Sequence, residues 1–205
     1  MGGIIDGNWP LVCGGYDESD NSVSSCYFIN ETLSSPVVNL KIGRDSASSI
    51  STDENLYVFG GWNCYAVYPG PGGIVSELDS IEKINPKKRT SEILSSRLPF
   101  TLSYSCMVSF DDTVMILGGF QDGSRSSKTW KSTISSQFKD WVKGPDLLEK
   151  RSSHACGIFK QSNKILLVGG YNPKDLFSAL KSTEILDNGS SSFKPGKFFN
   201  IFGNQ

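Results

Sequence analysis

Short apolar runs, partly β-branched, recur along this chain, and each ends in a glycine pair. They read Trp9-Pro10-Leu11-Val12-Cys13, Leu56-Tyr57-Val58-Phe59, Val114-Met115-Ile116-Leu117 and Ile165-Leu166-Leu167-Val168. The pairs are Gly14-Gly15, Gly60-Gly61, Gly118-Gly119 and Gly169-Gly170, followed by the aromatics Tyr16, Trp62, Phe120 and Tyr171. Unbroken apolar runs of this length, bounded by turn residues, predict strands covered on both faces. Glycine at the exit permits unusual backbone angles and the close approach of a second backbone. The aromatic that follows can cover the gap where side chains are missing. A period of about fifty residues predicts a repeat architecture, a propeller or an array.

The remaining pattern falls into four units, about residues 9–40, 44–94, 103–147 and 151–193, with an irregular tail at 194–205. Residues 1–10 carry Gly2, Gly3, Gly7 and Pro10 and read as a loop, so the first unit is expected to lack its first strand. Its later strands are expected near Cys26–Ile29 and Val37–Leu40. In the second unit Asn85-Pro86 is a strong turn signal between Ser80–Ile84 and Thr90–Leu94. The longest insertion, Asn63 to Ser76, follows its glycine pair and contains Tyr65 and Tyr68. The fourth unit closes near Phe193, and Phe198–Phe202 is too short to open a new one.

These residues resemble the kelch repeat family. Its motif runs from an Arg-led strand through an apolar strand ending in Gly-Gly to a third strand, six residues and Trp. The fourth unit matches at Arg151-Ser152-Ser153-His154, Gly169-Gly170 and Leu186, with Phe193 in place of Trp. The third matches at Gly118-Gly119, Ile134 and Trp141, and the second at Arg44, Gly60-Gly61 and Ser80-Ile81-Glu82. The resemblance covers residues 9–193. It implies an all-β fold, a kelch-type β-propeller with blades of four-stranded antiparallel sheet. About four blades are expected here against roughly five to seven in the family, so the ring is expected to be incomplete or open, or the chain truncated.

Composition narrows the chemistry. Among 205 residues, 20% are charged and 38% hydrophobic, and the net charge is −1. The chain is therefore globular and has no overall pull toward nucleic acid, and it holds no apolar run long enough for a membrane helix. Residues 1–12 have neither the basic nor the apolar stretch of a secretory signal. The single histidine, His154, reads as a structural strand residue. It excludes a copper site that needs two histidine ligands, and no Cys/His spacing suits zinc. Gln121-Asp122-Gly123-Ser124 lacks the Trp of a sialidase Asp box, and Asp111-Asp112 fits a hairpin turn. No cofactor is expected.

Of five cysteines, Cys106 and Cys156 occupy matching positions in successive units and read as core thiols. Cys13 and Cys26 flank one hairpin and can face each other across two strands, which spacing alone does not establish. The phrase Pro10 to Gly15 with Cys26-Tyr27 resembles invertebrate kelch-type proteins that carry such a disulfide. That pair and the sequons at Asn30 and Asn188 favour an oxidising, extracellular compartment; the odd cysteine count and the missing signal favour the cytoplasm.

The resemblance implies a non-catalytic module that binds a protein partner through its rim loops, an inference by analogy of fold. Trp62, Tyr65, Tyr68, Arg125 and Tyr171 are the expected contacts, because aromatics and arginine dominate binding hot spots. For Trp62 and Tyr171, packing over the glycines is the competing role. The alternatives are a small kelch-type enzyme (a sugar mutarotase or a metal-assisted lyase) or a fragment of a ubiquitin-ligase substrate adaptor. The first needs converging Arg, Glu and Asp side chains, and the second needs a helical domain before Leu11.

Overall fold

The structure, a computed structural model, describes residues 1–29, 36–65, 74–159, 161–172, 179–187 and 189–196. Tyr68, the asparagines of both sequons and Phe198–Phe202 lie outside these residues. Among the described residues there is no helix, and hence none long and apolar enough to cross a membrane.

Four antiparallel four-stranded sheets follow one another along the chain, each a meander, with short rim strands inserted between the second and third strands of the second and third sheets. The first holds Gly2–Ile5, Trp9–Cys13, Ser25–Phe28 and Val38–Asn39. The second holds Ser48–Ser51, Leu56–Phe59, Ser80–Asn85 and Thr90–Arg97. The third holds Cys106–Phe110, Thr113–Leu117, Thr129–Thr133 and Val142–Lys143. The fourth holds Ala155–Phe159, Lys164–Val168, Thr183–Leu186 and Lys194–Pro195. The first strands of successive sheets run beside one another, so the four sheets stack face to face in chain order.

The two middle runs, Leu56 to Phe59 and Val114 to Leu117, are buried throughout because their sheets are covered on both faces. The first and fourth runs alternate buried residues with exposed or half-buried ones, which corrects the expectation of two covered faces for them. Three buried clusters fill the three gaps between sheets. Leu11, Cys13, Leu56 and Val58 lie in the first gap, and Tyr57, Phe59, Val114 and Ile116 in the second. Met115, Leu117, Ile165 and Leu167 lie in the third. Successive residues of one strand thus serve alternate gaps, as the period of two requires. Trp141 packs into the second gap, where it meets Phe59 edge-on, and Phe193 plugs the third.

Three further expectations need correction. The first unit has its first strand: Gly2–Ile5 pairs with Trp9–Cys13 in register Gly2↔Val12 to Ile5↔Trp9. Its glycines serve close packing rather than a loop: a Cβ on Gly3 would sit 2.8 Å from Ser51 Cβ in the second sheet. The irregular tail starts later than residue 194, because Lys194–Pro195 is the fourth sheet's outer strand. Finally, Cys106 and Cys156 are joined in a disulfide, as are Cys13 and Cys26. The first pair is staggered by one position: Cys106 lies opposite Leu117, next to the glycine pair, whereas Cys156 lies opposite Leu167, one residue further back. Side chains one step apart on a strand point to opposite faces. Cys106 therefore faces the fourth sheet and Cys156 faces the third.

Candidate functional site: the glycine-pair rim

All four glycine pairs end their strands at the same rim of the stack. Gly60 and Gly61 illustrate why glycine is required there. Both have positive φ, 62° and 96°. A Cβ on Gly60 would lie 2.2 Å from the Leu102 carbonyl oxygen, and one on Gly61 would lie 2.5 Å from that of Asp45. The Gly61 N–H donates to that Leu102 carbonyl at 2.7 Å. Gly15 and Gly119 donate in the same way to Arg44 and Arg151. Each of these hydrogen bonds ties one sheet's rim to the next.

Behind the rim lie two fully buried arginines. Arg44 donates from Nη2 to Glu82 Oε2 at 3.0 Å and from Nη1 to the Gly60 carbonyl at 2.8 Å. Arg151 repeats this with Glu184 Oε1 at 2.7 Å and the Gly169 carbonyl at 2.7 Å. Burial lowers the pKa of the Arg44 guanidinium, and the Glu82 charge opposes that shift. In the third sheet the matching positions are apolar, Leu102 and Trp130, with Trp130 opposite Ile116 as Glu82 is opposite Val58. The Phe100 ring meets that of Trp130 at 5.1 Å, tilted by 44°.

The rim is built of paired backbone rather than free loops. Trp62–Tyr65 and Ile74–Glu77 form a two-stranded ribbon. Leu102–Ser103, Phe120–Gln121 and Ser124–Arg125 form a small three-stranded sheet beside it. Glu77 bridges the two, accepting from Thr101 Oγ1 and Ser103 Oγ at 2.7 Å each and from the Gly123 N–H at 3.0 Å. The ring of Trp62 meets that of Tyr104, and Tyr104 meets Phe120 at 5.8 Å.

The expected contact residues separate into two groups. Tyr65 and Tyr171 are exposed on the rim, Tyr65 on the outer end of the ribbon. Trp62 is half-buried and acts in packing, against Tyr104. Arg125 lies 5.0 Å over the Phe120 ring and donates from Nε to Ser152 Oγ, so it links the third and fourth units of the rim. Two residues were not singled out from the sequence. Tyr16, the first unit's aromatic, is exposed on the same rim. Asp45 is buried beneath it, accepting from Ser22 Oγ at 2.8 Å and Ser46 Oγ at 2.7 Å. Burial, and then the hydrogen bond with Asp45, push the Tyr16 phenol pKa well up. The repeat itself contains the signal for Asp45, which stands where the later units have Ser103 and Ser152.

Among the described residues no group of three or more His, Cys, Asp or Glu side chains is placed to hold a metal. A depression of about 370 Å³ lies at the opposite end of the second sheet. Its side chains engage one another: Lys83 pairs with Glu92, and Asn85 donates to Asn55.

No protein-family model matches this chain, and no curated protein matches it. The solved structure of YjhT does, with a TM-score of 0.74 and 16% identity over 98% of this chain. The chain spans 66% of that protein's length. At this identity the likeness concerns the fold alone.

Proposed function

We propose that this chain is a kelch-type β-propeller arc that acts as a non-catalytic protein-interaction module and binds its partner on the glycine-pair rim. The observation that carries this reading is the rim's construction. Tyr16, Tyr65 and Tyr171 are presented to solvent by backbone that is already paired and cross-linked by hydrogen bonds. Rigid aromatic side chains give large contact area at small entropic cost, the usual composition of a binding hot spot. The kelch reading is supported by the repeated glycine pairs, the two buried Arg–Glu pairs and the plugs Trp141 and Phe193.

The test uses a photo-crosslinking residue at position 65 or 171, with position 88 on the opposite rim as control, in extract of the source tissue. Crosslinking to one protein species is expected from 65 and 171 and not from 88. Tyr65→Ala should weaken capture of that species roughly 30-fold, as a hot spot does, with an unchanged melting temperature. A lowered melting temperature with capture intact would make Tyr65 a packing residue and remove the rim from consideration.

A further inference from the structure

The two disulfides differ in what surrounds them. Cys13 and Cys26 are 0% exposed, inside the first gap. Cys106 and Cys156 are half-buried, on the first strands of the third and fourth sheets, and each of those strands is an edge of its sheet. We infer that the Cys106–Cys156 bond is a redox switch: a dithiol opens it selectively, and its opening frees the fourth unit's side of the rim from the third.

Access separates the two bonds. Thiol–disulfide exchange begins with a thiolate reaching a sulfur, so its rate follows exposure. The buried Cys13–Cys26 pair offers no approach, whereas the half-buried pair on two edge strands does. The reductant's thiolate attacks Cys106 Sγ and forms a mixed disulfide, while the S–S bond breaks and its electron pair leaves on Cys156 Sγ. That sulfur lies 3.6 Å from the Met107 carbonyl oxygen, so the thiol, once protonated from water, has an acceptor in place. The reductant's second thiolate then attacks the reductant's own sulfur in the mixed disulfide. Cys106 leaves as a thiolate and takes a proton, and the reductant departs as a disulfide, having given up two electrons. An oxidised dithiol runs the same steps in reverse.

The two ends of the bond lead directly into the rim. Two residues before Cys106, the Tyr104 carbonyl accepts from the Ser153 N–H at 2.8 Å. The Gly119 N–H donates to the Arg151 carbonyl at 2.8 Å, and Arg125 Nε donates to Ser152 Oγ at 3.0 Å. Ser152 in turn pairs with Tyr171, each N–H donating to the other's carbonyl, at 3.1 and 2.9 Å. Once the bond is broken, the sulfurs must move out to ordinary contact distance, roughly 3.5–4 Å for non-bonded heavy atoms. In a close-packed gap that displacement passes to the strands. The hydrogen bonds between the third and fourth units are the next ties along both strands, so they open. The ties of Gly15 to Arg44 and of Gly61 to Leu102 lie in other gaps and stay closed. The redox state thus sets how Tyr171 is presented, a consequence for binding that rests on the rim being the partner site.

Reduction of the native chain with dithiothreitol tests this, read by alkylation mapping and by amide exchange. Cys106 and Cys156 should be fully labelled while Cys13 and Cys26 stay unlabelled. Exchange should rise at the Ser153 and Gly119 amides and stay unchanged at Gly15 and Gly61. It should return to its starting rate when oxidised dithiothreitol restores the bond. Cys106→Ser with Cys156→Ser should show the raised exchange without reductant. Equal labelling of all four cysteines would overturn the proposal, as would unchanged exchange at Ser153 and Gly119 once Cys106 and Cys156 are labelled. Photo-crosslinking carries the result to the partner: reduction should remove the crosslink from position 171 and keep that from 65. Both crosslinks surviving reduction would overturn the control of binding. No crosslink from either position in the oxidised chain would instead overturn the rim as partner site, with the switch decided by the exchange result.

Discussion

His154 shows how a repeat position sets the behaviour of one side chain. Its counterparts are Ala47 and Ser105, and each lies against the second glycine of its own unit; a Cβ on Gly170 would come 2.8 Å from His154 Cβ. In the fourth unit the larger imidazole also reaches Gly118 of the third unit, with Cε1 3.2 Å from where a Cβ would stand. Burial, and then the Arg151 charge, lower its pKa from 6.5 to about 4. The folded chain therefore keeps the ring neutral where the unfolded chain takes up a proton. The histidine's contribution is complete above pH 6.5 and is lost as pH falls from 6.5 to about 4. At 1.36 kcal/mol per unit this amounts to about 3 kcal/mol. Urea midpoints across that window should fall for the native chain and fall much less for His154→Ala, which installs the second unit's residue. Equal slopes would assign the acid sensitivity to other groups.

At the level of the element, the same repeat is locked in two chemically different ways. In the second and fourth sheets a buried arginine holds a glycine carbonyl and a glutamate; in the third, Leu102 and Trp130 fill the same space. Buried ion pairs are costly to desolvate, and replacing both partners by apolar groups is often neutral, whereas removing one leaves a stranded charge. Arg44→Ala should thus cost about 3–5 kcal/mol in urea denaturation, while Arg44→Leu combined with Glu82→Trp should recover most of that loss. A double variant as unstable as the single one would mean the third sheet uses its apolar pair in a different backbone setting. The elements that were legible in the sequence are those with a physical signature: the four apolar runs and the glycine pairs that end them, although only the second and third runs are covered on both faces. Gly2–Ile5 was hidden because its two glycines, which local propensity assigns to a loop, are there to let the second sheet approach. The Cys106–Cys156 bond was hidden because a one-residue stagger, invisible without strand register, reverses which way each thiol points. For the rim, exposed Tyr65 was legible as an aromatic on the longest insertion and exposed Tyr171 as the aromatic that follows the fourth glycine pair. The roles of Trp62 and Arg125 were not, since both depend on Tyr104, Phe120 and Ser152 arriving from other units.

Across the whole molecule, the two disulfides stabilise the stack over different spans. Cys13–Cys26 lies within the first sheet and closes a separation of 13 residues. Cys106–Cys156 joins the first strands of the third and fourth sheets across 50 residues. In the chain-entropy account a crosslink acts by restricting the unfolded ensemble, and the effect grows slowly with the loop. That gives about 3 kcal/mol for the shorter loop and about 4 kcal/mol for the longer. The longer bond also connects two separate sheets, so its loss loosens a whole gap rather than one hairpin. Cys106→Ser with Cys156→Ser should therefore destabilise more than Cys13→Ser with Cys26→Ser. It should also raise hydrogen exchange selectively in Ala155–Phe159 and Lys164–Val168. Alkylation before reduction should label one thiol, Cys64, and after reduction all five. Three labelled thiols before reduction would show that one bond does not form, and the site of labelling would say whether it is the bond inside the first sheet or the one between the third and fourth sheets.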